Sequence, residues 1–315
     1  MNQFISVSPD SRQPRTSARL CRGSFPRPVL RNAFTLIELL IVIVIIAILA
    51  SLLTVGVNKA IQFSRQVGVK TEMAQIELAL ANAARELGSV PYIPSGIILR
   101  DDLNYTPTPT TTPEEARLMA ASQRLLQMMF PGLFVLDTPG VFVPVDWNSN
   151  RSLDVHYLYA DRAWVFFLGG MPSPSGPDGF NRAGNPILTG GKRKGPFYDF
   201  KPTRLVPGPG GFYYYKDSWE KNVPLLVYNN ISRDPTAADS DKPLLPFPMP
   251  GRYLQASNKL YNPKGYQIIS AGKDGVFGVN QTRPILFNGY TDSDITGGAD
   301  DQANFADSLL AKPVD

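Results

Sequence analysis

Residues 34 to 57 read FTLIELLIVIVIIAILASLLTVGV, an apolar run interrupted by one charge, Glu38. At the helical rise of 1.5 Å this run spans about 36 Å, enough to cross a hydrocarbon core of about 30 Å. A carboxylate inside such a segment costs about 3 kcal/mol even on mild scales, so something must compensate that cost or use it. Arg12, Arg15, Arg19, Arg22, Arg27 and Arg31 precede the run against one acid, Asp10. The positive-inside rule then puts the N-terminus in the cytoplasm and the body outside. A cleaved secretory signal has a shorter apolar core of about 7–15 residues. A plain signal anchor fits the length but leaves Glu38 without a purpose.

The net charge of +4 belongs to that basic leader: residues 1 to 33 carry +5, leaving −1 for the rest. The pI near 9.0 therefore argues weakly for nucleic-acid binding, and no nucleic-acid partner is expected. Cys21, the one cysteine, also lies in the leader, so the body can form no internal disulfide. Something else must hold it together, and a metal is one candidate. The 29 prolines and 26 glycines predict a loop-rich, β-containing body.

Ala33 followed by Phe34, Thr35, Leu36, Ile37, Glu38, Leu39 and Leu40 resembles the class III signal of type IV pilins and type II secretion pseudopilins. The resemblance implies that a prepilin peptidase cuts between Ala33 and Phe34 and that the new amine of Phe34 is methylated. It also implies that Glu38 neutralises the Phe34 amine of a neighbouring subunit, which moves subunits from membrane to filament and fixes their register. Snorkelling of Glu38 to the headgroups is the competing reading. Ala33 stands where the family usually has Gly, and the leader is long for the family.

The helical pattern continues past Val57 to about Leu87, with Ile61, Val69, Met73, Ile76, Leu80, Ala83, Ala84 and Leu87 forming an amphipathic stripe. Gly56 and Gly68 are weak points along it, and Gly88 with Pro91 supplies a stop. A second helix is expected at 113–130, with Thr112, Pro113 and Glu115 as a capping box and Pro131-Gly132 as its end. LFVLD, GVFVPVDW, VHYLYA, AWVFFLGG, GFYYYKDSW, VPLLVYNN and YQIISAG read as β-prone runs. PSPSGPDGFNRAGNP and GGKRKGP read as loops, the second as a solvated hairpin tip. These readings divide the chain into a leader (1–33), a membrane or filament-core helix (34–57) and its amphipathic continuation (58–88). An inserted helix and β/loop region (89–211) and a C-terminal sheet with an acidic loop (212–315) follow.

Asp217, Trp219, Pro224 and Tyr228, then YQIISAGKDGVFG at 266–278 and the acidic tail at 292–305, are similar to the C-terminal signature of the major pseudopilin. Residues 101–210 have no counterpart there. Asp274, Asp292, Asp294, Asp300 and Asp301 lie in Gly-rich stretches, and carboxylates on flexible loops suit Ca²⁺; a solvated acidic loop is the alternative. By resemblance the calcium ligands are Asp274 and Asp301, with Asp300 as a substitute.

No P-loop is present, and the resemblance implies that assembly energy comes from a separate ATPase on an inner-membrane platform. His156, the one histidine, argues against a His-rich zinc site or a Ser-His-Asp triad and reads as a packed or half-exposed strand residue. No catalytic constellation emerges, so an enzyme is not expected. The fold expectation is α+β and pilin-like: a long N-terminal helix on an antiparallel sheet, with a large irregular insertion. The functional expectation is a type II secretion pseudopilus subunit in the inner membrane, its body periplasmic, partnered with other pilin or pseudopilin subunits. A type IV pilus subunit for adhesion, motility or DNA uptake, and a membrane-anchored binding protein or enzyme, are the alternatives.

Overall fold

The computed structural model describes residues 34–138, 141–182, 185–188, 190–219, 221–231, 253–254, 260–277, 285–286, 300–306 and 310. The fold is mixed α+β: one long N-terminal helix followed by small, mostly antiparallel sheets. The chain divides into two compact units at Gly56.

Helix α1 (Leu36–Glu86) runs for 51 residues and is continuous through Gly56 and Gly68, the two expected weak points. Within the second unit its apolar stripe is buried at Val69, Met73, Ile76, Leu80, Ala83, Ala84 and Leu87. Ile61 departs from the expectation, being 48 % exposed. The buried face instead includes an acid, Glu72, between Val69 and Met73. Gly88 ends the helix region with φ +100°, and a Cβ there would lie 2.5 Å from the Met128 carbonyl. Only glycine permits that approach.

Strand β1 (Ile97–Arg100) leads to helix α2 (Pro113–Met129), which begins as the sequence predicts. Thr112 Oγ1 accepts from the Glu115 amide at 3.2 Å. The reciprocal half of the capping box is replaced, because Glu115 accepts from the Tyr157 hydroxyl at 2.6 Å. Helix α2 closes the edge of β1: Ser122 Oγ accepts from the Ile98 amide at 2.9 Å. Strands β2 (Leu136–Thr138) and β3 (Val141–Phe142) form a short antiparallel pair. Strand β4 (Val155–Leu158) pairs antiparallel with β1, setting Leu99 opposite His156 and Arg100 opposite Val155. His156 is buried there, as a packed strand residue.

AWVFFLGG is not a strand. Residues Ala163–Gly169 form helix α3, and all seven are buried. A helix enclosed on every side carries no polar stripe, so its apolar run looks the same as a core strand. Trp164 fixes it by donating Nε1 to the Leu225 carbonyl at 3.2 Å. Gly170 follows with φ +96°, and a Cβ there would collide with the Gly179 backbone at 2.2 Å.

The two segments read as loops contribute β5 (Phe180–Asn181) and β6 (Arg193–Lys194), an antiparallel pair. Strands β7 (Leu205–Pro207) and β8 (Tyr213–Tyr215) form another. After β9 (Leu226–Asn229), strand β10 (Tyr253–Leu254) precedes the central strand β11 (Tyr266–Ser270). Strand β12 (Ile285–Leu286) runs parallel to β10, and β13 (Gln302–Ala303) completes a sheet in the order β13-β11-β9. The single expected sheet is thus divided into several small ones.

The main core joins the buried stripe of α1 to β1, α2, β4, α3 and β8. Residues 101–210 are therefore not an appendage. They supply much of the interior against which α1 lies, including Trp147, Trp164, Phe166 and Phe167. A smaller cluster around Leu226, Tyr228, Tyr253, Ile269 and Phe277 serves the C-terminal sheet.

Candidate functional site: the start of helix α1 and the acidic turn

In the first unit, Thr35 precedes the first residue of α1 and Glu38 occupies the third helical position. Glu38 Oε2 accepts from the Thr35 amide and from the Thr35 hydroxyl, both at 2.8 Å. The Glu38 amide in turn points at Thr35 Oγ1, 3.3 Å away. This reciprocal arrangement is a capping box, which satisfies backbone donors that the helix itself leaves open. The spacing Thr-x-x-Glu was present in the sequence, and the resemblance read there gave Glu38 an intermolecular role alone.

Downstream, the large apolar side chains from Leu36 to Val55 are all at least 45 % exposed. The hydroxyls in this stretch bond within the helix, Ser51 to the Ile48 carbonyl at 2.7 Å and Thr54 to the Ala50 carbonyl at 2.8 Å. A surface with its polar groups satisfied internally and its apolar groups uncovered suits lipid or the same face of another helix. By length and composition α1 can cross a membrane. Phe34 is described and exposed, whereas Ala33, on the other side of the expected cut, lies outside the described residues.

The C-terminal acids are placed differently from one another. Gly272, with φ +64°, brings its backbone so close to Asp300 that a Cβ would lie 2.2 Å from the Asp300 carbonyl oxygen. Asp300 Oδ2 accepts from the amides of Lys273 at 2.5 Å and Asp274 at 2.9 Å. Asp300 Oδ1 is buried without a hydrogen-bond partner. The Asp274 carboxyl is pushed above the usual carboxylate range by burial, with the negative charge of Asp300 adding to the shift and the hydrogen bond from the Val276 amide opposing it. Two adjacent carboxylates with one unsatisfied oxygen fit a hard, oxygen-seeking cation. Asp301, by contrast, is fully buried and accepts from the Tyr253 hydroxyl at 3.1 Å. Asp292 and Asp294 lie outside the described residues.

The two C-terminal segments singled out in the sequence meet in space. Asp217, 2 % exposed, accepts a hydrogen bond from the Ser270 hydroxyl, and β9 pairs with β11. Burial pushes Asp217 up to about 6, against the opposing pull of the Ser270 and Trp219 hydrogen bonds. Helix α1 is tied to this region by Lys70, whose ammonium donates to the carbonyls of Ala303 and Ala306. Glu77 adds a second tie, accepting from Asn304 Nδ2 at 3.2 Å.

The family described as the prokaryotic N-terminal methylation motif matches residues 30–54. No curated protein and no solved structure matches the chain. The matched segment contains Ala33, Phe34, the capping box and most of the exposed apolar face. A motif of this type implies processing by a prepilin peptidase and assembly with other pilin-type subunits, and the long apolar helix is consistent with single-pass anchoring.

Proposed function

We propose that the chain is a structural, non-enzymatic subunit of a type II secretion pseudopilus. In this reading it is held in the inner membrane by α1, with its body in the periplasm. A prepilin peptidase cuts after Ala33, and the amine of Phe34 is methylated. The subunit then joins pilin-type neighbours on an inner-membrane platform driven by a separate ATPase. The observation that carries the proposal is the join of the methylation motif to an apolar helix face that no described residue covers. In assembly, the Phe34 amine of a neighbour competes with Thr35 for the Glu38 carboxylate, an exchange of donors in a low-dielectric setting. Ca²⁺ bound by Asp274 and Asp300 would fix the turn at Gly272 to the end of the C-terminal sheet.

Mass spectrometry of the mature N-terminus tests the proposal and is expected to find N-methylated Phe34. An intact leader on the membrane-bound protein would overturn it. A type IV pilus subunit would use the same N-terminal chemistry. A deletion strain that loses exported proteins while keeping its surface filaments favours the pseudopilus, and the reverse result favours the pilus.

A further inference from the structure

A second cluster lies in the region that has no counterpart in the resemblance, at the end of the β1–β4 pair. Asp101 follows β1, Asp154 precedes β4, and His156 sits on β4. One ligand-type atom from each lies within 4.8 Å of the others. Asp101 is fully buried and His156 is 7 % exposed. His156 Nε2 has no hydrogen-bond partner, and it is aimed at Asp101 Oδ1, 3.6 Å away. That separation is too long for a hydrogen bond. It is close to the spacing of about 3.3 Å between two ligands that each lie about 2.0 Å from a tetrahedral ion.

The surroundings hold these groups in place. Asp101 Oδ2 accepts from the Asp154 amide at 2.9 Å, and Oδ1 accepts at 3.4 Å from the Trp147 amide. Asp154 Oδ2 accepts from Asn150 Nδ2 at 2.6 Å. The imidazole packs against Phe212 with ring centroids 5.0 Å apart. Gly210 leaves room for it, since a Cβ there would stand 2.8 Å from Nδ1. Such contacts orient first ligands and are the usual support of a metal centre.

The charge is unbalanced as well. Asp146, whose oxygens accept from the amides of Asn150 and Arg151, adds a third carboxylate nearby. Among the described residues, no lysine or arginine side chain donates to Asp101, Asp146 or Asp154. Arg100 is engaged by Asp102, and Arg162 by Asp161, Pro209 and Tyr157. The buried Asp101 carboxylate needs a counter-charge, which a protonated His156 or a cation held between the two side chains supplies.

We propose that Asp101, Asp154 and His156 bind one divalent transition ion of the zinc class. Mixed nitrogen and oxygen donors select such an ion over Ca²⁺, which takes oxygens. Three protein ligands leave a fourth position for water on the side of Asp154, the least buried of the three. The ion pins the loop at 146–154 to the end of β1, a cross-link suited to a body that has no cysteine.

The test uses the full, untagged chain in detergent, stripped with EDTA, in a Cys21→Ser background so that no thiol competes. Because His156 is the one histidine, ¹⁵N-histidine labelling gives a single imidazole to follow. Added ZnCl₂ is expected to shift the Nε2 resonance and to leave one zinc per chain after dialysis. Asp154→Asn and His156→Gln should each weaken zinc binding at least tenfold, whereas Asp274→Asn/Asp300→Asn should leave it unchanged. No retained zinc, or an unmoved imidazole signal in the parent chain, overturns the proposal. So does calcium binding at 146–154 that is indifferent to His156→Gln. Should His156→Gln fail to fold, the parent resonance and Asp154→Asn still decide.

Discussion

Arg204 grips Glu72 with both terminal nitrogens, Nη1 to Oε1 at 2.6 Å and Nη2 to Oε2 at 3.0 Å, across 132 positions of sequence. Tyr198 and Tyr215 donate to the same carboxylate at 3.1 and 3.3 Å, and the guanidinium lies 4.2 Å from the Tyr215 ring centroid. The pair joins α1 to the turn before β7 in a largely buried setting. Arg204→Met strands a buried carboxylate and is expected to cost about 3–5 kcal/mol. Glu72→Met/Arg204→Met should recover most of that loss. Denaturant unfolding of the four proteins of this cycle measures both, and equal losses in the single and double variants would refute the role of the pair.

At the start of α1, Glu38→Val should leave the protein inserted in the membrane and cleaved at Phe34, yet unable to enter filaments. Thr35→Val removes the hydroxyl half of the capping box and frays the first turn but keeps the carboxylate, so filaments should still form. Sedimentation of sheared filaments, with membrane fractions as the control, reads both outcomes. Filament entry by Glu38→Val at parental levels would remove the assembly role.

Asp217 imposes a pH dependence whose sign is fixed by burial. Its folded value of about 6 exceeds the ordinary 3.8, so the folded state holds a proton that the unfolded chain has released. Stability from this group is therefore fully present below about 3.8 and is lost as the pH rises to about 6. The loss amounts to about 3 kcal/mol. Asp217→Asn should flatten that part of the stability profile. A difference between parent and variant that does not change from pH 4 to 7 would contradict the assignment.

Calcium at one hundred times its dissociation constant should stabilise the chain by about 2.7 kcal/mol if Asp274 and Asp300 share it. EDTA should lower the melting temperature, added calcium should restore it, and Asp300→Asn should abolish the response. A melting temperature unmoved by EDTA and calcium would leave the turn as a solvated acidic loop.

What could be read in the sequence was what local spacing encodes. The apolar run, the methylation motif, the Thr112 start of α2 and the strand at 266–270 depend on neighbours within a few positions. Helix α3 escaped because Trp164, Val165, Phe166 and Phe167 are all buried, which erases the periodic contrast that distinguishes helix from strand. Glu72 escaped for a related reason. An acid between Val69 and Met73 reads as a solvent position until Arg204, far along the chain, supplies its counter-charge. Asp101 and His156, separated by the whole of α2, by β2 and β3 and by the loops between them, are brought together only by the β1–β4 register.

The capping box also bears on reversibility. Glu38 already holds two donors of its own chain, so in the proposed assembly an incoming amine would displace hydrogen bonds rather than fill an empty acceptor. The free energy of that contact is a difference between two satisfied arrangements, smaller than either alone. A filament built on such an exchange can be dismantled without stranding an unsatisfied carboxylate in lipid, because each withdrawn subunit recloses its own helix start.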